Sequence, residues 1–242
     1  MKFLNISMDK FTSFLERSDT VLIPVGTLEA HGHHLPLGTD VLIPGRIAEA
    51  LDARIGDRIL IAPEINYGHS WYLSIYPGTI DISSETLINY LFEVGKGFLK
   101  WGFQNIVYLN GHGGNNPALT IVSEKLAALG ARVAIINWWM DLRQEILEIC
   151  EGQGHAGEDE TSVIMAIDEN LVDKAKTKAH WVQLVANVTT KEIARTTYPD
   201  ALSGDARLAT KEKGERIVDA VVDAMVGIIG KIRRDELIKE QP

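Results

Sequence analysis

Hydrophobic positions fall along the chain in two alternating patterns. Short continuous apolar runs predict buried strands at 20–25, 58–62, 105–109, 131–137 and 181–189. Apolar residues spaced three or four positions apart predict helices at 41–53, 84–100, 116–129, 160–168 and 207–233. Because continuous apolar strands alternate with helices, the pattern is typical of an α/β protein whose mostly parallel sheet is covered on both faces.

The last predicted helix, 207–233, carries a wide apolar stripe. Its members are Ile217, Val221, Met225, Ile228 and Ile232, with Val218, Val222 and Ile229 alongside. We expect this stripe to pack against the sheet. Its width also favours association into a homo-oligomer.

Composition narrows the class of protein. The chain has 242 residues, 45% of them hydrophobic, without a linker, repeat or low-complexity tract, so we predict one domain over 1–242. The net charge of −9 and the lack of a basic stripe argue against nucleic-acid binding. The longest apolar segments are interrupted by charge, which argues against a membrane span. A single cysteine, Cys150, and an N-terminus without a long apolar run fit a cytoplasmic protein.

The segment after the first predicted strand is unusually rich in groups that bind metals. Glu29 and His31 are two positions apart, so in an extended backbone both side chains leave on the same face. Asp40 follows after a Leu-Pro-Leu-Gly turn and adds a second carboxylate. Carboxylate and imidazole groups that converge in this way are natural ligands for a divalent transition metal. The alternative is a polar surface loop, which three histidines and two acids after a buried strand make less attractive.

Two further polar sites follow later strands. His112 lies in Asn110-Gly-His-Gly-Gly, between a strand and a helix N-terminus, where α/β proteins bind ligands. His155 and Glu160 lie in a polar segment that leads into a helix. One of this pair could serve proton transfer while the other binds a metal. Alternatively, Glu158 and its acidic neighbours only stabilise the first turn of the helix.

Other polar and aromatic residues give weaker signals. Trp138 and Trp139 end a strand, so they are either core residues or part of a substrate pocket. His69 and His180 stand alone and are more typical of structural or surface histidines. Cys150 has no clear His or Asp partner along the sequence, so a thiol nucleophile is not predicted.

Together these residues form a series of motifs that resembles the creatininase family of metal-dependent amidohydrolases. The matching segments, in order, are 24–32, 34–40, 67–70, 77–79, 110–115, 155–158, 160–162, 203–205 and 209–214. The resemblance covers roughly residues 20 to 230. It implies a three-layer α/β/α fold with a mostly parallel central sheet, assembled into hexamers.

The resemblance also implies a site with two divalent ions, which could be Zn, Mn or Fe. One ion would be held by Glu29, Asp40 and His112, and the other by His31 and Asp40, with Asp40 bridging. Glu160 is the remaining carboxylate ligand that the resemblance favours. His155 would shuttle a proton, with Glu158 as the next candidate for this role. The expected substrate-binding residues are Ser70, Gly113, Trp138 and Trp139.

The expected function is hydrolysis of a C–N bond, in a cyclic amide or an N-formyl amide of a small metabolite. Creatinine-cleaving members carry a Glu two residues after the His of Asn-Gly-His, where this chain has Gly114, so creatinine is not the predicted substrate. Within the family, hydrolysis of a C–C bond in a cyclic keto-polyol, or of a small peptide, remains open. A metal-binding interaction protein without catalysis is the alternative of another class.

Overall fold

The structure is a computed structural model, which describes residues 1–182, 185–186 and 188–238. Its centre is a parallel sheet in the order β2-β1-β3-β4. The four strands are β1 (Thr20–Val25), β2 (Leu60–Ile61), β3 (Asn105–Asn110) and β4 (Arg132–Asn137). Thr20 pairs with Asn105 and Asn105 with Arg132, so the three long strands end level with one another at Val25, Asn110 and Asn137.

Helices connect these strands, and a small antiparallel pair of strands lies outside the central sheet. The helices are α1 (Met8–Leu15), α2 (Thr39–Ile55), α3 (Ser84–Lys100), α4 (Asn116–Ala127), α5 (Trp138–Asp141), α6 (Arg143–Leu147), α7 (Glu158–Ile167), α8 (Lys191–Thr197) and α9 (Lys211–Arg234). The small pair consists of β5 (Ala179–His180) and β6 (Gly204–Asp205). Among the described residues, no helix is both long enough and apolar enough to cross a membrane.

Each face of the central sheet has its own hydrophobic core. Leu22 and Val107 point to a core shared with α2, α7 and α9, whereas Ile23 and Ile106 point to one shared with α1, α3 and α4. Alternate residues of each strand thus enter opposite cores, as the period of two in a strand requires. The three-layer α/β/α fold expected from the sequence is confirmed.

The predicted elements match the observed ones where the apolar pattern is long. The main difference is the predicted strand at 181–189: the only strand near it is β5, which ends at His180, among the residues that the structure describes. Residues 183, 184 and 187 of that prediction lie outside the described part. The short helices α1, α5, α6 and α8 were not predicted, because four to eight residues give too few turns to establish a period.

The apolar stripe of α9 is covered within the chain itself. Ile217, Val221, Met225 and Ile232 are all buried in the core that α9 shares with α2 and α7. This confirms that the helix packs onto the layered core. It also removes the stripe as an argument for association between copies, because the face is already occupied.

Candidate metal centre

Five potential metal ligands meet at the carboxyl edge of the sheet. Glu29 and His31 lie on the loop after β1, and Asp40 lies in the first turn of α2. His112 lies two residues after the end of β3, and Glu160 lies in the first turn of α7. All but His112 are more than 90% buried, and His112 is nearly so. Three regions far apart in sequence, 29–40, 112 and 160, therefore supply one buried cluster.

Two glycines allow α2 to approach the strand ends closely enough to form this cluster. A Cβ at Gly26, after β1, would lie 2.3 Å from the Asp40 carbonyl oxygen. A Cβ at Gly111, after β3, would lie 2.1 Å from the same oxygen. Real Cβ atoms cannot come this close, so any other residue at either position would push Asp40 away from the strand ends.

Glu29, Asp40 and His112 form the first half of the centre. The His112 Nε2 atom lies 3.1 Å from Glu29 Oε2, and its Nδ1 atom lies 2.9 Å from Asp40 Oδ2. The Ser70 hydroxyl donates a 2.8 Å hydrogen bond to Glu29 Oε2, which orients that carboxylate. One atom from each of the three ligands lies within 4.8 Å of the others, so they can hold one ion.

His31 and Glu160 form the second half, together with His155. His31 Nε2 lies 3.0 Å from Asp40 Oδ1 and 3.5 Å from Glu160 Oε2. The Ala156 backbone N–H donates a 2.7 Å hydrogen bond to Glu160 Oε2. Atoms of His31, His155 and Glu160 also lie within 4.8 Å of one another. Because Asp40 faces both halves with different oxygens, it is placed to bridge two ions.

Burial and charge strongly shift the pKa values of these ligands. Burial alone would lower the pKa of His31, but Asp40, Glu160 and Glu29 outweigh it and raise the pKa to about 10. Glu29 and Asp40 likewise outweigh burial and raise the pKa of His112 to about 9. Burial raises the pKa of Glu160 and Glu29, whereas the two histidines hold that of Asp40 well below its usual range. Both histidines therefore carry protons at neutral pH when no metal competes for them.

The residues fit a metal because two of their buried atoms lack any other partner. In the part of the chain that the structure describes, His31 Nε2 and Asp40 Oδ2 are buried and take part in no hydrogen bond. Buried polar atoms are normally satisfied, so two unpartnered atoms within one ligand cluster are expected where an ion belongs. A set of imidazole and carboxylate ligands suits Zn, Mn and Fe alike.

His155 lies beside the second half of the centre. Its ring centroid is 4.1 Å from that of His31, and Tyr198 packs edge-on against it at 5.5 Å. Its Nε2 atom lies 2.9 Å from the Ala30 carbonyl oxygen. Since a carbonyl only accepts, Nε2 carries the hydrogen and Nδ1 is free to accept a proton or bind a metal. Burial, together with the charge on His31, lowers the pKa of His155 to about 3, so the ring is neutral.

The centre opens into a cavity of about 660 Å³. Ser70, Gly113 and Trp139 line it, as expected for substrate-binding residues. Further lining residues that the sequence did not indicate are His69, Trp71, Tyr72, Met140, Arg143, Gln153, Asp159 and Tyr198. Of these, His69 could have been predicted to line the cavity from the sequence, because it belongs to the motif 67–70. Tyr198 could not, because it is a single tyrosine outside any strand pattern.

Two predicted site residues are not brought to the cavity. Trp138 is only 1% exposed and packs in the core between the sheet and α9, so the substrate-binding prediction fails for it. Glu158 is also buried, and its carboxylate binds Lys213 and the backbone N–H groups of Glu151 and Gly152. This carboxylate links the segment before α7 to α9, which corrects the expectation that Glu158 takes part in proton transfer.

Three other residues do not line the cavity. His33 is exposed and lies beside Asp200, away from the centre. His180 is half-buried in β5. Cys150 is a buried free thiol.

Comparison with known proteins points to one family. The creatininase family model, described as creatinine amidohydrolase, matches residues 5–229. A 3-dehydro-scyllo-inosose hydrolase of Thermotoga maritima is 29% identical, over 99% of this chain and 89% of its own. The mycofactocin precursor peptide peptidase of Mycolicibacterium smegmatis is 34% identical, over 88% of this chain and 84% of its own.

Solved structures agree with this assignment. A structure described as "Creatininase Mn" superimposes with a TM-score of 0.83 and 26% identity, covering 96% of this chain and 98% of the other. The parallel sheet carries, at its carboxyl edge, a buried cluster of side chains that could hold metal ions. The chain belongs to the creatininase family.

Proposed function

We propose that this protein is a dinuclear metal hydrolase that cleaves a C–N bond, in a cyclic amide or an N-formyl amide of a small metabolite. The observation that carries the proposal is that Asp40 joins two adjacent ligand groups at the wall of one cavity. A carboxylate in this position could serve both members of a pair of closely spaced ions.

In the proposal, Glu29, Asp40 and His112 would hold one ion, and His31, Asp40 and Glu160 would hold the other. Two such ions, when bound, lower the pKa of water and polarise the substrate carbonyl. Ser70 keeps Glu29 oriented through its 2.8 Å hydrogen bond. The carboxylate and imidazole groups therefore serve as ligands, and the Ser70 hydroxyl orients one of them.

The chain's own residues manage the proton and the substrate. His155 takes a proton from water at Nδ1 and returns it to the leaving nitrogen, as a general acid–base group does. The backbone N–H at Gly113, which lines the cavity, is proposed to donate to the developing oxyanion. Trp139, Trp71 and Tyr198 give the cavity aromatic walls that suit a planar substrate.

Two relatives support a second candidate function, which is also a hydrolysis. One is named for hydrolysis of an inosose and another for cleavage of a peptide. Hydrolysis of a cyclic keto-polyol at a C–C bond, or of a small peptide, is therefore the runner-up. A protein that binds metal without catalysis is less well supported, because His155 and the cavity would then have no use.

The test is a hydrolysis screen on protein reconstituted with Zn, Mn or Fe. The panel contains cyclic amides, N-formyl amides, cyclic keto-polyols and short peptides, and Asp40→Asn serves as the metal-deficient control. We expect wild type to release amine from an amide and the variant to be inactive. Turnover of a keto-polyol alone would favour the runner-up, and no turnover with any fully loaded protein would favour binding without catalysis.

We further propose that the protein acts in the cytoplasm as a closed homo-oligomer. The single cysteine fits a reducing compartment. Closed symmetric assemblies are the usual form of soluble oligomers.

A further inference from the structure

Arg143 differs from the other charged residues around the cavity. It is the first residue of α6 and lines the same cavity as the metal centre. Among the described residues that line this cavity, it is the single arginine or lysine. Within 1–182, 185–186 and 188–238, the one hydrogen-bond partner of its guanidinium is a neutral amide, that of Gln153. A cation is thus exposed to the cavity without a carboxylate to neutralise it.

The position of this guanidinium is fixed by a short chain of hydrogen bonds. Arg143 Nη1 donates to Gln153 Oε1 at 2.7 Å, and Gln153 Nε2 donates to the Trp139 carbonyl oxygen at 2.9 Å. Because Gln153 is anchored in this way, it presents its oxygen to Arg143. The Nε and Nη2 donors of the guanidinium remain available, and they form the fork that binds carboxylate or phosphate oxygens.

The charge around the cavity also favours an anionic ligand. Four carboxyl groups line it, from Glu29, Asp40, Asp159 and Glu160. Two divalent ions carry as much positive charge as four carboxylates carry negative charge. With the metals bound, the charges of the ions and the carboxylates cancel, so Arg143 gives the cavity a net positive charge. This net charge attracts an anion rather than a neutral or cationic substrate.

We propose that Arg143 binds an anionic oxygen group of the substrate, a carboxylate or a phosphate, while the amide reaches the metal centre. This inference rests on the proposed function and narrows it to amides that carry an anionic group. The aromatic side chains of Trp71, Tyr72, Trp139 and Tyr198 lie along the same cavity and cover the body of the substrate. Arg143 is a specificity residue, and the chemistry of bond cleavage stays with the metal centre and His155.

The experiment compares three probes that differ only in their end group. They are N-benzoylglycine, its phosphonate analogue benzoylaminomethylphosphonate, and its neutral amide. Dissociation constants are measured by isothermal titration on the metal-loaded protein. The proteins are wild type, Arg143→Ala, Arg143→Lys and, as a matched control, Arg58→Ala. Arg58 is an exposed arginine just before β2, at the opposite edge of the sheet.

We expect wild type to bind one of the anionic probes about tenfold more tightly than the neutral amide, as a charge-assisted hydrogen bond allows. Arg143→Ala should lose this preference, Arg143→Lys should keep part of it, and Arg58→Ala should keep all of it. The tighter of the two anionic probes identifies carboxylate or phosphate as the group recognised.

Two results would overturn the inference. One is equal affinity of wild type for all three probes, and the other is an anion preference that survives in Arg143→Ala, since the metals would then be its source. If amides are hydrolysed in the screen, either result leaves the proposed function intact. If no amide is hydrolysed but Arg143→Ala loses the preference, the anion site stands and the proposed function fails.

Discussion

Asp40 faces His31 through one carboxylate oxygen, with Oδ1 3.0 Å from His31 Nε2. Its other oxygen, Oδ2, lies 2.9 Å from Nδ1 of His112. Asp40 therefore belongs to the ligand group of Glu29 and His112 and also contacts the other group through His31. Substitution of Asp40 should therefore remove more bound metal than substitution of His31.

We expect Asp40→Ala to lose both ions and His31→Ala to lose one of two. The reason is that Asp40 bridges the two groups, whereas His31 serves only the second. Elemental analysis of protein reconstituted with Zn or Mn measures the metal per chain. His33→Ala is the matched control, because His33 lies on the same loop but is exposed, and it should keep two ions. Well-folded wild type that binds no metal after reconstitution would remove the metal hypothesis altogether.

His155→Ala should keep its metals and lose turnover. General acid–base catalysis contributes about 10²–10⁴-fold in rate, so kcat should fall by about that factor. Steady-state kinetics on the substrate found in the screen, together with metal analysis of the same preparation, checks both parts. Loss of one ion would instead make His155 a ligand, which its position within 4.8 Å of His31 and Glu160 also permits.

Metal binding should release protons. The pKa of His31 is raised to about 10 and that of His112 to about 9 in the metal-free protein, so both rings are charged at pH 7.5. A metal binds only the neutral ring, so loading both sites should release about two protons per chain from these rings, in addition to the proton of Glu160, whose pKa burial raises to about 8. Titration calorimetry in buffers of different ionisation enthalpy counts them. A proton count near zero would contradict the charged state of the two rings.

The same shifts predict how the metal-free protein responds to pH. Both folded-state pKa values lie above the usual 6.5, so the folded chain holds these protons more tightly than the unfolded chain does. Their contribution to stability is complete below pH 6.5 and is lost as pH rises towards 9 and 10. Urea unfolding of the metal-free protein across this range should show falling stability. Asp40→Asn, which removes the charge that holds His31 protonated, should flatten the slope.

The residues around α7 show how far sequence reasoning reaches. Residues two apart on a helix are about 200° apart around its axis, so Glu158 and Glu160 point to opposite sides. Periodicity alone could not decide which side faces the centre, because the helix is buried all around at its start. Glu160 was favoured as a ligand from its place in a motif, and the structure places it at the centre.

Similar reasoning explains the tryptophan pair and the long strands. The apolar runs of β1, β3 and β4 were predicted nearly to the residue, because they are six residues long and pack on both faces. Trp138 and Trp139 follow β4 directly, and which of them faces the cavity depends on how the chain turns into α5. That turn is set by tertiary contacts, which leave no period in the sequence.

Glu158 should matter to stability rather than to metal content. Glu158→Gln removes the charge that binds Lys213 and weakens the bonds to two backbone N–H groups. Because hydrogen bonds to a charged group are worth about 1.5–3 kcal/mol, the free energy of unfolding should fall by about that much. Urea unfolding of the metal-loaded protein measures it, with Glu151→Gln as the exposed neighbouring control. Normal stability with lost turnover would return Glu158 to the catalytic residues.

The protein should form a closed oligomer in solution. The stripe of α9 does not support this, but exposed apolar side chains near the N-terminus do, since Leu4 is 74% and Met8 81% exposed. Light scattering at micromolar concentration should report a multiple of the 26.7 kDa chain mass, and the family resemblance favours six copies. A mass of one chain at that concentration would contradict the expectation.

The metal ligands and the cavity walls come from different parts of the molecule. Glu29, Asp40 and His112 lie where the central strands and α2 meet, and the two acids are buried there. Arg143 and Tyr198, in contrast, lie on a short helix and a loop outside that frame. We expect substitutions at Arg143 to change which substrate is bound while the ligand cluster stays intact, whereas Tyr198 also packs against His155. Natural or engineered substitutions of this kind would change the substrate specificity and leave the catalytic chemistry as it is.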